Sequence, residues 1–225
     1  MITPEELKAN YESVHAKIAA VAGTRKVELI AVSKSQPLEA VHALYKLGHR
    51  DFGENYVQEM VEKAEAMEAK GCMDVRWHFL GHLQSNKVKS LLPYVHVIHS
   101  LDSIRLGQEI SKQMKNVGHT ERLSVFIEVN VSGEETKSGI REAELRKLAA
   151  SLSKVADLRI LGLMCIPAPD RSLQAFEKLR ILEEDLKPVT EGFLSMGMTQ
   201  DYEMAVQQGA THVRVGTGIF GNRTS

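Results

Sequence analysis

The residue in this sequence best suited to covalent chemistry is Lys34, which ends a strongly apolar run over residues 29–33. If the run is a strand, Lys34 shares a face with Ile30 and Val32. Should that face be buried, desolvation disfavours the ammonium form and leaves a neutral amine. A neutral amine attacks a carbonyl carbon, so the position predicts Schiff-base chemistry. A strand-end lysine that reaches solvent is the alternative.

Two glycine-bearing segments, 195–199 and 214–218, follow the last two predicted strands. Glycine lets the backbone approach an anion closely, and helix N-termini offer unpaired N–H groups. Ser195 and Thr217 add hydroxyl groups. Loops after the seventh and eighth strands of a β/α barrel commonly bind phosphate. The two segments therefore predict a phosphate site, for which a sugar phosphate, flavin mononucleotide or pyridoxal 5′-phosphate (PLP) would be suitable. Two ordinary turns are the alternative.

Arg214 stands between Val213 and Val215 in an apolar strand pattern. An inward-facing arginine needs a partner, because an unpaired buried charge is costly. A cofactor atom and a carboxylate of the barrel are both candidates. Cys165 has no basic neighbour in sequence that would activate a thiol, so we expect it to be buried and inert. The histidines at 78, 82, 96 and 99 lack metal-site spacing, and no metal is predicted.

The elements that position these residues begin with a helix. Thr3 is a favourable N-cap, Pro4 suits the first helical position, and Glu6 completes a capping box. Apolar residues then recur at helical spacing until Gly23. Further helical periodicity is clearest over residues 57–70, 142–154 and 173–186.

Short apolar runs alternate with these helical stretches. They predict eight strands, at residues 27–34, 51–53, 77–81, 95–100, 124–130, 158–166, 193–196 and 213–216. Alternating strands and helices favour parallel pairing with right-handed crossovers. The number eight, and polar residues just after strands, favour closure, so we predict an α/β protein: a TIM (β/α)8 barrel preceded by an N-terminal helix. An open doubly wound sheet is the alternative.

Composition limits the function classes. The chain has 225 residues, a formal net charge of −1 and 25% charged residues, so no basic excess attracts nucleic acid or an anionic membrane. Two cysteines without a C-x-x-C pair indicate a reducing compartment. The first residues are acidic and precede any apolar run, and no apolar window reaches membrane length, so we expect neither a signal peptide nor a membrane span. We expect a single domain over residues 1–225, monomeric and cytoplasmic, with neither nucleic acid nor a membrane as partner.

Seven motifs together give the chain a specific family resemblance: it resembles the pyridoxal phosphate homeostasis proteins. The motifs keep the order of that family from the first strand to the end of the sequence. They are AVSK (31–34), FGENYVQE (52–59), WHFLGHLQSNK (77–87), KSG (137–139), GLM (162–164), LSMGMTQD (194–201) and RVGTGIFG (214–221).

The resemblance implies a fold-type III barrel, like the N-terminal domain of alanine racemase, with PLP as cofactor. Lys34 would hold PLP as a Schiff base, and Arg214 would face the pyridine nitrogen. Asn55 would lie near the ring or its linkage to Lys34, and Met164 would pack close by.

The resemblance also implies which residues hold the phosphate end of PLP. Ser195, Gly197, Gly216 and Thr217 would do so through hydroxyl and backbone N–H groups, and Met196 is counted with them as cofactor-binding. In the barrel, the first and eighth strands are neighbours, so one small cofactor can reach from Lys34 to these loops.

The function implied is intracellular PLP (vitamin B6) and amino-acid homeostasis, with PLP-dependent apoenzymes as recipients and no catalytic turnover. Alanine racemase takes one base from a second, β-rich domain, and we expect this chain to lack that domain. An arginine at the ring nitrogen also weakens the ring as an electron sink. The alternatives are a minimal PLP-dependent racemase or lyase with Lys34 as one base and Tyr56 or His82 as its partner, a cofactor-free aldolase using Lys34, and a scaffold protein. Lys137 could assist PLP transfer or be a solvated loop lysine.

Overall fold

The computed structural model describes residues 2–134 and 137–221. Its strands are β1 (Glu28–Val32), β2 (Asp51–Glu54), β3 (Arg76–Phe79), β4 (Val95–Leu101), β5 (Leu123–Asn130), β6 (Ile140–Arg141), β7 (Leu158–Met164), β8 (Phe193–Ser195) and β9 (His212–Val215). Its α-helices are α1 (Pro4–Ala22), α2 (Leu38–Lys46), α3 (Val57–Ala69), α4 (Val88–Leu91), α5 (Ile104–Asn116), α6 (Glu142–Leu152), α7 (Ser172–Glu184), α8 (Tyr202–Gln207) and α9 (Thr217–Phe220).

Eight strands in the described part of the chain close into a parallel barrel. Neighbouring strands follow the order β1, β2, β3, β4, β5, β7, β8, β9, and β9 pairs back with β1. This closing pair sets Ile30 beside Arg214 and Ala31 beside Val215. The two-residue β6 pairs only with the end of β5. The predicted TIM barrel with its N-terminal helix is confirmed.

Helix α1 begins and ends as its sequence predicts. The Thr3 hydroxyl accepts the Glu6 N–H at 3.1 Å, and the Glu6 carboxylate accepts the Thr3 N–H at 2.9 Å. Gly23, with a φ of 62°, follows the last turn. The helix packs against α2, α8 and α9.

The barrel has two distinct packing regions. A large apolar core lies between the strands and the surrounding helices. A separate small cluster of Phe126, Leu161 and Met164 lies apart from it, with Phe193 packed against its edge. The centre of the barrel is otherwise largely polar: the buried polar groups on its strands include Asp51, His78, His99, Glu128, Ser195, His212 and Arg214. No helix in the described residues is long and apolar enough to cross a membrane.

The structure differs from the predicted elements in three places. β1 ends at Val32, two residues before Lys34, because residues 33–36 form a turn closed by the Gln36 N–H and the Ser33 carbonyl at 3.0 Å. Helices α2, α4, α5 and α9 were not individually predicted. In α5, Gly107 interrupts the apolar pattern because a Cβ there would meet Leu152 at 2.5 Å. β6 was also not predicted.

Candidate functional site

The main candidate site is a cavity of about 450 Å³ whose lining residues come chiefly from the loops that follow strands. This volume lies within the ordinary range for small-molecule sites. Its lining residues are Val32, Lys34, Gln36, Pro167, Ser172, Met198, Thr199, Gln200, Asp201, Met204, Gly216 and Thr217. The cavity therefore brings together three of the predicted cofactor-binding residues, Lys34, Gly216 and Thr217, from opposite ends of the chain.

Lys34 reaches this cavity from the second position of the turn over residues 33–36. Ser33 is fully buried, whereas Lys34 is partly exposed. Ser35 has a φ of 59°, the left-handed region that non-glycine residues seldom adopt. The strand ends before this turn, and Lys34 lines the cavity from the turn.

One wall of the cavity is formed by the loop after β9 and the segment after β8. The Thr199 hydroxyl accepts the backbone N–H groups of Gly216 and Gly218, each at 3.3 Å, which ties the two segments together. A Cβ at Gly216 would stand 3.2 Å from the Val32 carbonyl oxygen. Glycine at 216 therefore lets the last loop lie against the end of the first strand, beside Lys34.

Arg214 is buried below this wall and is held by two acceptors. One terminal nitrogen donates to the Ser195 hydroxyl at 2.7 Å and the other donates to the Cys165 carbonyl at 2.8 Å. The Ser195 hydroxyl is fully buried and is also bonded to His99 Nδ1 at 2.8 Å. The phosphate contact expected for Ser195 stays a prediction; in the structure this hydroxyl fixes Arg214.

The hydrogen bonds continue from Ser195 across the barrel. His99 Nε2 is 2.9 Å from His78 Nδ1, and His78 Nε2 is 3.1 Å from the Asp51 carboxylate. Since Ser195 accepts from Arg214, its own proton is available to His99 Nδ1, and each histidine then donates from Nε2. From Arg214 to Asp51, each hydrogen bond in this network is donated in the direction of Asp51. Asp51 also accepts from the other side, where Arg76 donates two hydrogen bonds to it, one of them at 2.7 Å.

Burial and hydrogen bonding together determine the charge states of His99 and Asp51 in this hydrogen-bond network. Burial holds the pKa of His99 well below its usual value, so its ring is neutral. Burial would raise the pKa of Asp51, but hydrogen bonds from His78 and Arg76 outweigh it and lower the pKa, so Asp51 is a carboxylate. Burial also raises the pKa of the Cys165 thiol to about 12. Among the described residues, no group of His, Cys, Asp and Glu is arranged to hold a metal ion.

Four other predicted cofactor residues do not line this cavity. Asn55 lines a different groove, with Tyr56 and His82. Met164 is fully buried in the small inner cluster, whereas Met196 is fully buried in the outer core. Gly197 has a φ of 92°, and its carbonyl accepts the Arg214 N–H at 3.0 Å.

Sequence reasoning missed two features of the site. Thr199 lies in a quoted motif but was given no role; a hydroxyl between two glycine loops is the signal that was available. The hydrogen-bond network that joins His99, His78 and Asp51 was also missed, because its members are far apart in sequence. Lys137 pairs with Glu134 at 2.9 Å and lines a separate cavity of about 140 Å³ with Glu128.

Comparison with known proteins identifies the class and then the family. Residues 2–224 match the family described as the alanine racemase N-terminal domain, to which the chain belongs. It is 41% identical over 208 residues to the pyridoxal phosphate homeostasis protein of Aquifex aeolicus, covering 89% of each chain. It is 37% identical over 229 residues to that of Escherichia coli K12, covering 97% of each. The chain is therefore a member of the pyridoxal phosphate homeostasis protein family.

Solved structures agree with this assignment. PipY of Synechococcus elongatus with PLP bound is 32% identical, with a TM-score of 0.80, over 92% of this chain and 99% of that one. Alanine racemase of Corynebacterium glutamicum is 14% identical, with a TM-score of 0.71, over 99% of this chain and 62% of that one. The second likeness concerns the fold alone.

Proposed function

We propose that this chain binds PLP in the cavity of about 450 Å³, as a Schiff base with Lys34. The observation that carries the proposal is that Lys34 lines one cavity with Gly216 and Thr217, across the seam of β1 and β9. An amine and a glycine loop with a hydroxyl group around one cavity match the aldehyde and phosphate of PLP. Relatives named for PLP homeostasis, and a PLP-bound structure in the same family, support this choice over a sugar phosphate or flavin.

At the phosphate end, we assign the hydroxyl of Thr217 and the backbone of Gly216 as direct contacts, and add Thr199. We assign a supporting role to residues 195–197, which precede the lining residues Met198 and Thr199. Gly197 accepts from the Arg214 backbone, so the segment and β9 hold each other in place.

At the ring end, we assign Arg214 to the pyridine nitrogen, with Met164 beneath the ring and Asn55 near the Lys34 linkage. PLP supplies an aldehyde and an electron-withdrawing ring when it is bound. Arginine does not lose its proton in proteins, so a guanidinium at the ring nitrogen disfavours ring protonation and the chemistry that depends on it.

We therefore propose that the chain keeps and delivers PLP for intracellular PLP and amino-acid homeostasis, without turnover, and that apoenzymes are its recipients. A racemase or lyase needs a positioned acid or base at the cofactor. Besides Lys34 itself, the candidates for that role are Tyr56 and His82, which line the groove of Asn55 and not the cavity itself; His82 lies 3.6 Å from Asp102. We further propose a cytoplasmic monomer with one domain over residues 1–225.

The test is the visible absorption spectrum of the purified chain after addition of PLP, compared with Lys34→Ala and with Lys46→Ala, an exposed lysine on α2. A yellow band in the unmodified chain and Lys46→Ala, absent from Lys34→Ala, is expected. No band in any variant would refute PLP binding through Lys34. Racemisation or elimination of amino acids that is lost with Lys34→Ala would refute the non-catalytic assignment.

A further inference from the structure

An ion cluster of Glu54, Glu59 and Lys63, in which Glu59 is partly exposed, contacts the turn that carries Lys34. Lys63 projects from α3, and its ammonium group is 2.8 Å from a carboxylate oxygen of each glutamate. The side chain of Lys63 is 9% exposed and that of Glu54 is fully buried. None of the three lines the main cavity.

The cluster makes two hydrogen bonds to Ser33, the residue before Lys34. The Ser33 hydroxyl donates to Glu54 Oε1 at 2.7 Å, and Lys63 Nζ donates to the Ser33 carbonyl at 2.6 Å. The same carbonyl accepts the Gln36 N–H that closes the turn. The orientation of the Ser33 peptide, from which the turn starts, is therefore set by the cluster.

The cluster also hydrogen-bonds to Ser35, the residue after Lys34. The Ser35 N–H donates to Glu59 Oε1 at 2.6 Å. Ser35 is the residue with the left-handed φ of 59°. Unfavourable backbone conformations of this kind persist where surrounding contacts fix them, and they concentrate at ligand sites. A charge-assisted bond from Glu59 is such a contact.

We infer that Glu59 and Lys63 are positioning residues that set the turn over residues 33–36 and so aim Lys34 into the cavity; this inference rests on the proposed function. The cluster's bonds go to the backbone on both sides of Lys34, rather than only joining β2 to α3. One oxygen of Glu54 is buried without a hydrogen-bond partner in the described structure, so the cluster is not optimised for stability alone. Such an arrangement fits a role in defining one conformation.

The test is a double-mutant comparison with Glu59→Gln and Lys63→Met, each made in the unmodified chain and in Lys34→Ala. Glu62→Gln is the matched control, because Glu62 is an exposed residue of α3 bonded only to Gln58 in the described structure. Two quantities are measured: the rate at which the yellow band forms after PLP is mixed with protein, and PLP affinity by equilibrium dialysis. Thermal unfolding verifies that each variant folds.

We expect Glu59→Gln to slow band formation by about tenfold, because a displaced amine attacks less often in the reactive geometry. PLP affinity should fall in the unmodified chain, and should be unchanged by Glu59→Gln in Lys34→Ala, where no lysine remains to be aimed. Lys63→Met should act in the same direction, and Glu62→Gln should change neither quantity.

Three results would overturn the inference. Band formation at the unmodified rate in both Glu59→Gln and Lys63→Met would show that the cluster does not aim Lys34. An equal loss of PLP affinity in the two backgrounds would show a general effect on the cavity. A chain that forms no yellow band at all would refute the proposed function itself, which the other two results leave intact.

Discussion

Removal of the Ser195 hydroxyl tests whether the hydrogen bonds that it makes to Arg214 and His99 inside the barrel stabilise the fold. Ser195→Ala deletes the acceptor of one Arg214 nitrogen, at 2.7 Å, and the partner of His99 Nδ1, at 2.8 Å. Both residues are buried, so water does not readily replace the lost partner. The variant therefore leaves one charged donor and one ring nitrogen unpaired.

The expected loss follows from the cost of such groups. A buried polar group left without a partner costs about 1–3 kcal/mol, and a charged one costs more. The sum for Arg214 and His99 is about 3–5 kcal/mol in the free energy of unfolding. For a domain of this size, each kcal/mol shifts Tm by about 2–4 °C, so Tm should fall by roughly 6–20 °C.

Ser100 provides a matched control on β4. It is also a fully buried serine, but its hydroxyl has no hydrogen-bond partner in the described part of the chain. Ser100→Ala removes a desolvated hydroxyl and should be neutral or slightly stabilising, by up to about 1 kcal/mol. The assay is urea unfolding of both variants without PLP. A loss below about 1 kcal/mol for Ser195→Ala, or equal losses for the two, would refute the pairing described here.

Three further predictions concern other buried groups. Burial raises the pKa of Glu128 to about 7 from an ordinary 4.5. The folded chain therefore holds this proton more tightly than the unfolded chain, which adds to the free energy of unfolding at low pH; this added stability is lost as the pH rises through about 7. Glu128→Gln should therefore reduce the loss of stability from pH 5 to pH 8 by about 1–3 kcal/mol, measured by urea unfolding at each pH; an unaltered pH profile would contradict this. Gly197→Ala should destabilise the chain by about 1–3 kcal/mol in thermal unfolding, because φ is 92° and a Cβ would stand 2.5 Å from that of Ala205; an unchanged Tm would contradict it. Cys165 should resist alkylation at pH 8 in the folded chain and react in urea, as mass spectrometry would show, whereas rapid labelling of the folded chain would disprove its burial.

The sequence predicted the elements whose signals are local. The capping box of Thr3 and Glu6 and the stop at Gly23 lie within a few residues of the helix they define, and α1 has those ends. The strand count followed from apolar runs, because each barrel strand must bury its outer face against helices. Lys34 and the loop of Gly216 and Thr217 were predicted to share one site, and they line one cavity.

Other features depend on contacts that only closure of the barrel creates. His99 bonds to His78, 21 residues away, and to Ser195, 96 residues away, so no local pattern connects them. The end of β1 before Lys34 was missed because Ser33 and Ser35 are held by α3, a separate element. Nothing in the apolar run itself indicates that the strand ends there.

The seam between β1 and β9 has a consequence for the order of events during folding. The two strands that meet there are separated by about 180 residues, and such distant pairing is entropically costly and slow. During synthesis, β9 and the loop that carries Thr217 emerge after the other seven barrel strands, so the cavity forms only once β9 has been made. A ligand that bridges the seam would bind only the closed barrel and would shift the folding equilibrium by mass action.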